Sequence, residues 1–342
     1  MLKAVALAGG MWAIAAPQTP QWISQRSMVT ARLRGVSAVN ERAAWASGSG
    51  NTILRTEDGG TTWMRVPSPT TDRLDFRDID AIGERAAYVL SIGSGPLSRI
   101  YKTMDAGATW TLQFTNEDPD AFFDAMAFWD ADHGIAVSDS VNGAFVIITT
   151  DNGGRTWTRV PASALPPALE GEGAFAASGT NVTVFGTSRV WFGTGAAARA
   201  RVLRSADRGR TWQIAETPLK AGPSAGIYSV AFRSATHGVI VGGDYAREAE
   251  AFDNLAVTAD GGRTWRPIKE RGLGGFRSVV AHVPGRRASW LAVGPLGADL
   301  STDDGQTWTP IAGPGYDTFS FAPGLTTGWG AGARGTIGKL GN

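Results

Sequence analysis

The sequence contains no cysteine and only three histidines, and these shortages exclude several kinds of chemistry. Without cysteine there is no disulfide framework, no thiolate nucleophile and no cysteine-type zinc site. The histidines, His133, His237 and His282, are scattered along the chain, and the first two begin equivalent His-Gly pairs, so they lack the spacing of metal ligands. We therefore expect no metal and no cofactor.

Net charge is also nearly absent, because 32 Lys and Arg residues offset 31 Asp and Glu residues and leave a formal charge of +1. Such a chain has no overall field that would recruit nucleic acid or an anionic membrane. No basic stripe with interleaved aromatic residues follows the sequence, and no Gly-x-Gly-x-x-Gly opens a helix after a strand. We expect no nucleic acid among the partners.

Sustained helical periodicity is missing after residue 16. The chain instead has 45 glycines and 13 tryptophans, far above average usage, which favours many short strands joined by tight turns. With 43% hydrophobic residues it can bury a large core. The chain is predicted to be all-β, although its length alone would suggest about two domains.

The first residues are typical of a secretory signal. Lys3 precedes an apolar run over residues 4–16, and residues 13–15, Ala-Ile-Ala, have the small-residue pattern of a cleavage site. We predict a signal peptide at residues 1–15 and a periplasmic or secreted protein; the alternative is an apolar N-terminus that is not removed. The run is too short to span a bilayer, so no transmembrane segment is expected in the mature chain.

One octapeptide of the form Ser/Thr-x-Asp-x-Gly-x-Thr-Trp returns six times along the chain. The copies lie at residues 56–63, 103–110, 150–157, 205–212, 258–265 and 301–308. Their third positions are Asp58, Asp105, Asn152, Asp207, Asp260 and Asp303. The tryptophans that end the copies are 47, 47, 55, 53 and 43 residues apart, close to the roughly 40 to 50 residues of a four-stranded propeller blade.

Each octapeptide lies between two strand-like runs and is predicted to be a hairpin connection. Asp or Asn would accept hydrogen bonds from backbone amides two residues further on, Gly would supply a positive φ, and Trp would cover the apolar surface between neighbouring sheets. Each copy offers one carboxylate, whereas calcium needs six to eight oxygen ligands. The six third-position residues are therefore predicted to be structural.

The number of blades follows from a small-residue strand that occurs seven times, at residues 44–47, 87–90, 133–136, 190–193, 237–240, 289–292 and 328–331. The seventh set continues through residues 336–340 and lacks an outermost strand. Residues 21–24, Gln-Trp-Ile-Ser, resemble such a strand without its own hairpin. We predict one seven-bladed β-propeller domain over residues 16–342, with four-stranded antiparallel blades and the last blade closed by the N-terminal strand.

With these octapeptides laid out, the chain resembles the BNR/Asp-box repeat proteins, and within them the photosystem II stability/assembly factor-like group, some members of which are named oxidoreductase-like. The pattern that carries the resemblance is Ala44-Trp45, then Thr52 to Trp63, echoed at residues 336–339. The resemblance covers essentially the whole mature chain and is specific for the propeller, which is related to WD40-type repeats in architecture. It implies an exported scaffold that binds a protein client, and it does not imply photosynthesis.

Functional side chains of a propeller converge at the mouth of its central channel, which the innermost strands line. These strands are predicted at residues 33–36, 75–78, 123–126, 173–176, 227–230, 276–279 and 318–321. The candidate binding residues on or near them are Arg34, Arg77, Asp78, Asp124, Glu172, Tyr228 and Arg277, with Glu170 nearby. The alternative is that the charged residues among them form salt bridges or a solvated rim.

Two stretches interrupt the repeat, at residues 161–173 and 243–254, and they account for the two longest spacings. Long loops on a rigid scaffold often carry function, whereas the alternative is a tolerated surface insertion. If both lie on the same face as Arg34 and Arg77, a binding surface is the simplest explanation.

The predicted function is binding of a protein or a carbohydrate, by a monomer, through the channel mouth and the two long loops. The alternative is a glycoside hydrolase, sialidase- or xyloglucanase-like, with a carboxylate pair drawn from Asp78, Asp124, Glu172 and Asp244. A sialidase would also need a tyrosine nucleophile, for which Tyr228 is placed, but the early Arg-Ile-Pro signature is missing. A binding role is favoured over an enzyme, and no catalytic residue is assigned.

Overall fold

A computed structural model describes residues 20–341 as seven four-stranded antiparallel sheets. The predicted signal peptide at residues 1–15 lies outside the described residues. The helical segments found in residues 20–341 are four single turns of 3-10 helix, at Gly95–Leu97, Ala162–Ala164, Tyr245–Arg247 and Ala333–Gly335. None of them is long or apolar enough to cross a membrane.

The strands follow one another blade by blade. Blade 1 consists of β2 (Leu33–Ala38), β3 (Ala44–Gly48), β4 (Thr52–Thr56) and β5 (Met64–Arg65). Blade 2 consists of β6 (Asp75–Ala81), β7 (Ala87–Ile92), β8 (Arg99–Thr103) and β9 (Thr111–Thr115). Blade 3 consists of β10 (Phe123–Phe128), β11 (Gly134–Val141), β12 (Ala144–Thr150) and β13 (Thr158–Arg159). Blade 4 consists of β14 (Val182–Phe185), β15 (Arg189–Gly193), β16 (Arg201–Ser205) and β17 (Gln213–Glu216). Blade 5 consists of β18 (Ala225–Phe232), β19 (Gly238–Asp244), β20 (Leu255–Thr258) and β21 (Arg266–Pro267). Blade 6 consists of β22 (Val279–His282), β23 (Trp290–Gly294), β24 (Gly297–Ser301) and β25 (Thr309–Ile311), and blade 7 of β26 (Thr318–Phe321), β27 (Gly328–Ala331), β28 (Thr336–Gly341) and β1 (Gln21–Arg26).

The ring is closed by the pairing of β1 with β28. The two strands run antiparallel from Gln21 opposite Gly341 to Arg26 opposite Thr336. The inner strands of neighbouring blades contact one another all round the ring, including those of blades 7 and 1. These features confirm the prediction of seven blades with the last one completed by the N-terminal strand.

Each Asp-box is held by hydrogen bonds between its own residues. In the first box, the Thr56 hydroxyl accepts from the amide of Gly60 at 2.9 Å. Asp58 accepts from the amide of Thr62 at 2.9 Å and from its hydroxyl at 2.7 Å. The carboxylate therefore reaches amides four residues further on, and the expected span of two residues was wrong, because the Ser/Thr hydroxyl at the first position serves the nearer amides.

The third box shows how the same geometry tolerates an amide. Asn152 Oδ1 accepts from the amide of Thr156 at 3.0 Å, as Asp does in the other boxes. Its side-chain NH₂ donates to the Thr156 hydroxyl at 2.8 Å, so the direction of that second bond is reversed. Asn can therefore replace Asp in this turn without loss of the network.

The box tryptophans pack where each blade meets the preceding one, as predicted. Trp63 lies in the cluster formed by blades 7 and 1, Trp212 between blades 3 and 4, and Trp265 between blades 4 and 5. Between blades 6 and 7, where no box precedes the strand, Trp22 of β1 takes this place against Tyr316 and Phe319, with ring centroids 4.5 and 5.7 Å away.

The alternation of strand directions gives the ring two distinct faces. The inner strands begin on one face, which also carries the connections from the second to the third strand of each blade and those between blades; we name it the loop face. The Asp-boxes join the third strands to the fourth and lie on the opposite face, the box face. Both long stretches, 161–173 and 243–254, belong to the loop face, as do the starts of β2 and β6, which carry Arg34 and Arg77.

The box carboxylates should make the propeller sensitive to acid. Hydrogen bonds from Thr264 lower the pKa of Asp260 from 3.8 to about 2 despite partial burial, so its stabilising effect is complete above the unfolded pKa and is lost as the pH falls from about 4 through about 2. We expect Asp260→Asn to lower Tm at pH 7 and to lower it less at pH 2.5, as measured by calorimetry.

The reciprocal variant Asn152→Asp provides the control. It should raise Tm at pH 7 and lose that gain at pH 2.5, because it introduces a carboxylate into the same geometry. Parallel Tm curves for the three proteins from pH 7 to pH 2.5 would contradict this account of the boxes.

Candidate binding site at the channel mouth

The central channel is filled by the chain itself. Residues 173–181, here named the channel segment, connect blade 3 to blade 4 and cross the loop-face mouth before β14 begins at Val182. The prediction of an inner strand at 173–176 was therefore wrong, since blade 4 uses Val182–Phe185 instead; both stretches are short and mostly apolar. The predicted strand at 276–279 also begins later, at Val279.

All seven blades contact the channel segment through hydrogen bonds. The guanidinium groups of Arg34 and Arg77, from blades 1 and 2, donate to the carbonyls of Ala177 and Ala176 at 3.2 and 3.1 Å. From blade 3, Asp139 accepts from the amide of Ala174 at 2.8 Å. The segment thus replaces water as the partner of polar groups that face the channel.

The remaining blades complete the ring of contacts. Gly173 pairs with Gly195 of blade 4, and Val230 of blade 5 donates its amide to Thr180 at 2.9 Å. On the opposite side, the Ser178 hydroxyl donates to the carbonyl of Ser278 at 2.8 Å, and Thr318 of blade 7 donates to the carbonyl of Ser178 at 3.1 Å. The channel segment therefore closes the channel at this mouth, and it forms the floor of the space above it.

An open cavity of about 510 Å³ lies over this floor on the loop face. One side is lined by the arginines Arg32, Arg34 and Arg77, and another by the aromatic rings of Phe175, Tyr228, Tyr245 and Phe276. Of the sequence-predicted residues, Arg34, Arg77, Asp124 and Tyr228 line this cavity.

The arginine wall is only partly neutralised. Arg32 makes a two-pronged pair with Asp317 at 2.7 and 2.9 Å, and Arg77 bonds Asp75 at 3.0 Å. Arg34 lies farther from Asp317, at 3.9 Å, and its buried Nε has no hydrogen-bond partner in the described chain. Burial lowers the pKa of Arg34 to about 10, so it stays cationic at neutral pH and lacks a close counter-ion.

The aromatic wall is built around Tyr228. Its ring stacks on Phe175 at a centroid distance of 4.0 Å and meets the edge of Phe276 at 4.6 Å. The hydroxyl of Tyr228 donates to the carbonyl of Ser224 at 2.9 Å, and burial raises its pKa above the ordinary value. Tyr245, from the 243–254 loop, is 54% exposed and extends this wall towards solvent.

Two carboxylates, Asp124 and Asp139, line the cavity next to the channel segment. Burial, with the nearby charge of Asp139, raises the pKa of Asp124 well above its usual value, and burial raises that of Asp139 to about 6. The backbone amide of Ala174 donates to Asp139 at 2.8 Å, whereas Oδ2 of Asp124 is buried without a hydrogen-bond partner in the described chain. Asp139 therefore helps to hold the channel segment in place.

The other predicted site residues lie away from the cavity lining. Asp78 is buried and accepts from the amide of Met126 at 2.7 Å. Arg277 is buried in an ion pair with Asp299, with Nε and Oδ2 2.7 Å apart. Glu172 is buried against Arg201, whose Nε lies 2.8 Å from its Oε1. For Glu172 and Arg277, the geometry is the salt-bridged alternative.

The candidate residues from the sequence did not include six members of this lining, although Phe175 and Phe276 lay in strands predicted to line the channel; the six are Arg32, Asp139, Phe175, Tyr245, Phe276 and Asp317. Tyr245 lies in the 243–254 loop that the repeat spacing had marked, so that signal was available. Arg32 precedes its strand by one residue, and its position depends on the pairing with Asp317 of blade 7. No group of three or more metal-binding side chains occurs within residues 20–341.

The channel segment yields a test through its glycine. Gly179 has φ +76°, and a Cβ there would lie 2.2 Å from Asp78 Oδ1. Gly179→Ala should lower the free energy of unfolding by about 2 kcal/mol more than the control Gly186→Ala, since overpacking a tight site costs 1–3 kcal/mol. Gly186 has a similar φ of +61° with nothing within 4 Å.

Urea unfolding and amide hydrogen exchange measure the two effects separately. Amides 174–180 should exchange faster in Gly179→Ala and at the native rate in Gly186→Ala. Equal destabilisation with unchanged exchange in both variants would show that the segment is not held as described.

The fold matches solved structures along almost the whole chain. A structure of YCF48 bound to D1 peptide is 15% identical, with a TM-score of 0.66 over 96% of this chain and 98% of that one. YCF48 from Cyanidioschyzon merolae is 17% identical, with a TM-score of 0.65 over 93% and 98%. The GH74 xyloglucanase from Xanthomonas campestris is 16% identical, with a TM-score of 0.62 over 94% of this chain and 53% of the enzyme.

A search of curated protein sequences gives no match. The family model described as photosynthesis system II assembly factor YCF48 matches residues 9–157, which include the first three Asp-boxes and less than half of the chain. Together with the repeated boxes and the closed ring of blades, these matches make the chain a BNR-repeat, seven-bladed β-propeller similar to the photosystem II assembly factors.

Proposed function

We propose that this propeller is a binding scaffold that takes an extended segment of a partner protein into the loop-face cavity. The observation that carries the proposal is the filled channel: residues 173–181 close it and leave an open cavity of about 510 Å³ between a cationic and an aromatic wall. A cavity of this size with a few polar groups among aromatic side chains is typical of a ligand site.

The two walls suit a peptide better than a sugar. Arg34 and Arg77 present guanidinium donors for carbonyl or carboxylate oxygens. Phe175 and Tyr245 offer flat apolar surface to a side chain of the partner. The protein in one similar structure, YCF48, binds a D1 peptide, which supports a peptide-binding role for the same fold.

A glycoside hydrolase is the second candidate, because the carboxyl groups of Asp124 and Asp139 share the cavity and the pKa of Asp139 is raised to about 6. A xyloglucanase with a similar fold is compatible with this idea. Against it, Asp139 accepts a hydrogen bond from the channel segment, Asp124 is buried, and the hydroxyl of Tyr228 is bonded to Ser224. Binding without catalysis is therefore the better proposal.

A peptide library displayed on phage provides the probe for this site. Peptides enriched on the full protein should bind Arg77→Ala and Tyr245→Ala at least tenfold more weakly, because each variant removes part of one wall. Affinities are measured by calorimetric titration of the enriched peptides.

Matched controls exist close to both positions. Arg73, exposed on the connection before β6, and Phe252, exposed on the same loop as Tyr245, do not line the cavity, so Arg73→Ala and Phe252→Ala should keep native affinity. Failure to enrich any peptide, or equal affinity for all five proteins, would reject the site. Hydrolysis of a xyloglucan oligosaccharide that is lost in Asp124→Asn would favour the enzyme.

We also propose that the protein acts after export, on the basis of the signal-like residues 1–15. The full chain, produced in a Gram-negative bacterium, should appear in the periplasm with its N-terminus at residue 16. A variant that starts at residue 16 should stay in the cytoplasm. Recovery of the full chain uncleaved in the cytoplasm would contradict export.

A further inference from the structure

A second cavity, of about 330 Å³, opens on the box face between blades 4 and 5. Three arginines line it: Arg189 at the start of β15, Arg204 near the end of β16, and Arg263 in the fifth Asp-box. Trp191 forms part of its wall. We name it the box-face cleft.

The repeat itself supplies a comparison for Arg204. In blades 1, 2, 4 and 7, an aromatic residue of the second strand lies opposite a cationic residue of the third: Trp45 with Arg55, Tyr88 with Lys102, Trp191 with Arg204 and Trp329 with Lys339. In three of these pairs the cation lies over the ring, 4.8 to 5.2 Å from its centroid.

In those three pairs the cation is also bonded to the next blade. Arg55 donates to the carbonyl of Glu84 at 3.1 Å, Lys102 to that of Gly153 at 3.0 Å, and Lys339 to that of Glu41 at 3.0 Å. These bonds satisfy a charged group at the border between blades. The fourth cation, Arg204, differs from its counterparts.

The side chain of Arg204 has no hydrogen-bond or ion-pair partner in the described chain, and its Nε is buried. In the equivalent place of blade 5, the carbonyl of Gly261 accepts from Trp191 Nε1 at 2.9 Å. Arg263 brings a second positive charge towards Arg204, and burial together with that charge lowers the pKa of Arg204. A buried donor that faces like charge is costly unless an acceptor reaches it.

Two carboxylates offset part of the positive charge of the cleft without bonding its arginines. Asp207 lines the cleft and Asp260 acts on Arg204 through its charge, but both oxygens of each accept hydrogen bonds within their own boxes, Asp207 from Thr211 and Asp260 from Thr264. Neither Arg189 nor Arg263 has an ion-pair partner among residues 20–341, and the only side-chain bond of Arg263 goes to the carbonyl of Asp260. The cleft therefore presents three guanidinium groups that form no ion pair with the neighbouring carboxylates.

We propose that the box-face cleft binds a tetrahedral oxyanion, phosphate or sulfate, free or as a monoester. Planar guanidinium forks match the oxygen pairs of such anions, and three arginines can serve more oxygens than one carboxylate offers. The anion accepts from the buried Nε of Arg204 and lies between the charges of Arg189 and Arg263. This site is on the opposite face from the proposed peptide cavity and does not depend on that function.

The test uses the full protein with sodium phosphate, sodium sulfate and glycerol 3-phosphate, at constant ionic strength set with NaCl because screening alone alters Tm. All or some of these anions should bind saturably by calorimetric titration and raise Tm. Arg204→Ala and Arg263→Ala should each weaken binding at least tenfold; Arg263 is exposed, so its variant keeps the test valid if Arg204→Ala folds poorly.

The matched control is Arg155→Ala. Arg155 holds the same position in the third box as Arg263 in the fifth, but the neighbouring cation there, Lys102, is already bonded to Gly153. Its variant should bind as tightly as the native protein. Tighter binding of glycerol 3-phosphate than of phosphate would identify an ester as the ligand form, and the reverse order a free anion. No saturable binding, or equal binding by Arg263→Ala and the native protein, would overturn the proposal.

Discussion

Closure of the ring between β1 and β28 is the constraint on which every other feature of this propeller depends. An open ring would expose the face of blade 1 and the edge of β28, and both would be prone to association. Trp22 fills the space between blades 6 and 7 that a box tryptophan fills elsewhere. Gln25 of β1 then links blade 7 to blade 1 across this seam. Its side-chain NH₂ donates to the carbonyl of Gly59, and its oxygen accepts from the indoles of Trp63 and Trp329.

The seam also explains one glycine that the box requires. Gly60 has φ +86°, and a Cβ there would lie 2.0 Å from Gln25 Oε1. The first box is thus shaped both by its own turn and by the strand that closes the ring. A side chain at either position therefore acts directly on the contact between blades 7 and 1.

A closed ring creates a channel lined by polar groups, and the channel segment provides hydrogen-bond partners for them. A carboxylate such as Asp139, which is partly buried, would be costly without a donor, and an amide of the segment supplies one. That bond ties Asp139 to the floor of the cavity while the arginine and aromatic walls stay accessible above it. This is the physical basis on which we propose binding in preference to hydrolysis.

The repeat made the fold predictable, because each box is a local structure whose hydrogen bonds are written in eight consecutive residues. Blade number and ring closure followed from counting such units. The channel segment was not predictable in this way: Gly173 to Ala176 has the small, apolar composition of an inner strand, and its real partners are Arg34, Arg77 and other residues far away in sequence. Likewise, nothing near Arg277 in sequence indicated that Asp299 would bury it in an ion pair.

Equivalent positions in the blades of a repeat protein can be compared with one another, so a residue that departs from the common hydrogen-bond pattern can be identified. Lys102 and Lys339 show that a cation opposite the aromatic residue of a second strand donates to a carbonyl of the next blade. Arg204 occupies the same position with no acceptor, although its longer, planar fork could reach one as easily. In blade 5 the carbonyl equivalent to that of Gly153 belongs to Gly261, and it accepts from Trp191. The Nε of Arg204 is left without an acceptor in the described chain, and the anion proposed for the box-face cleft supplies one.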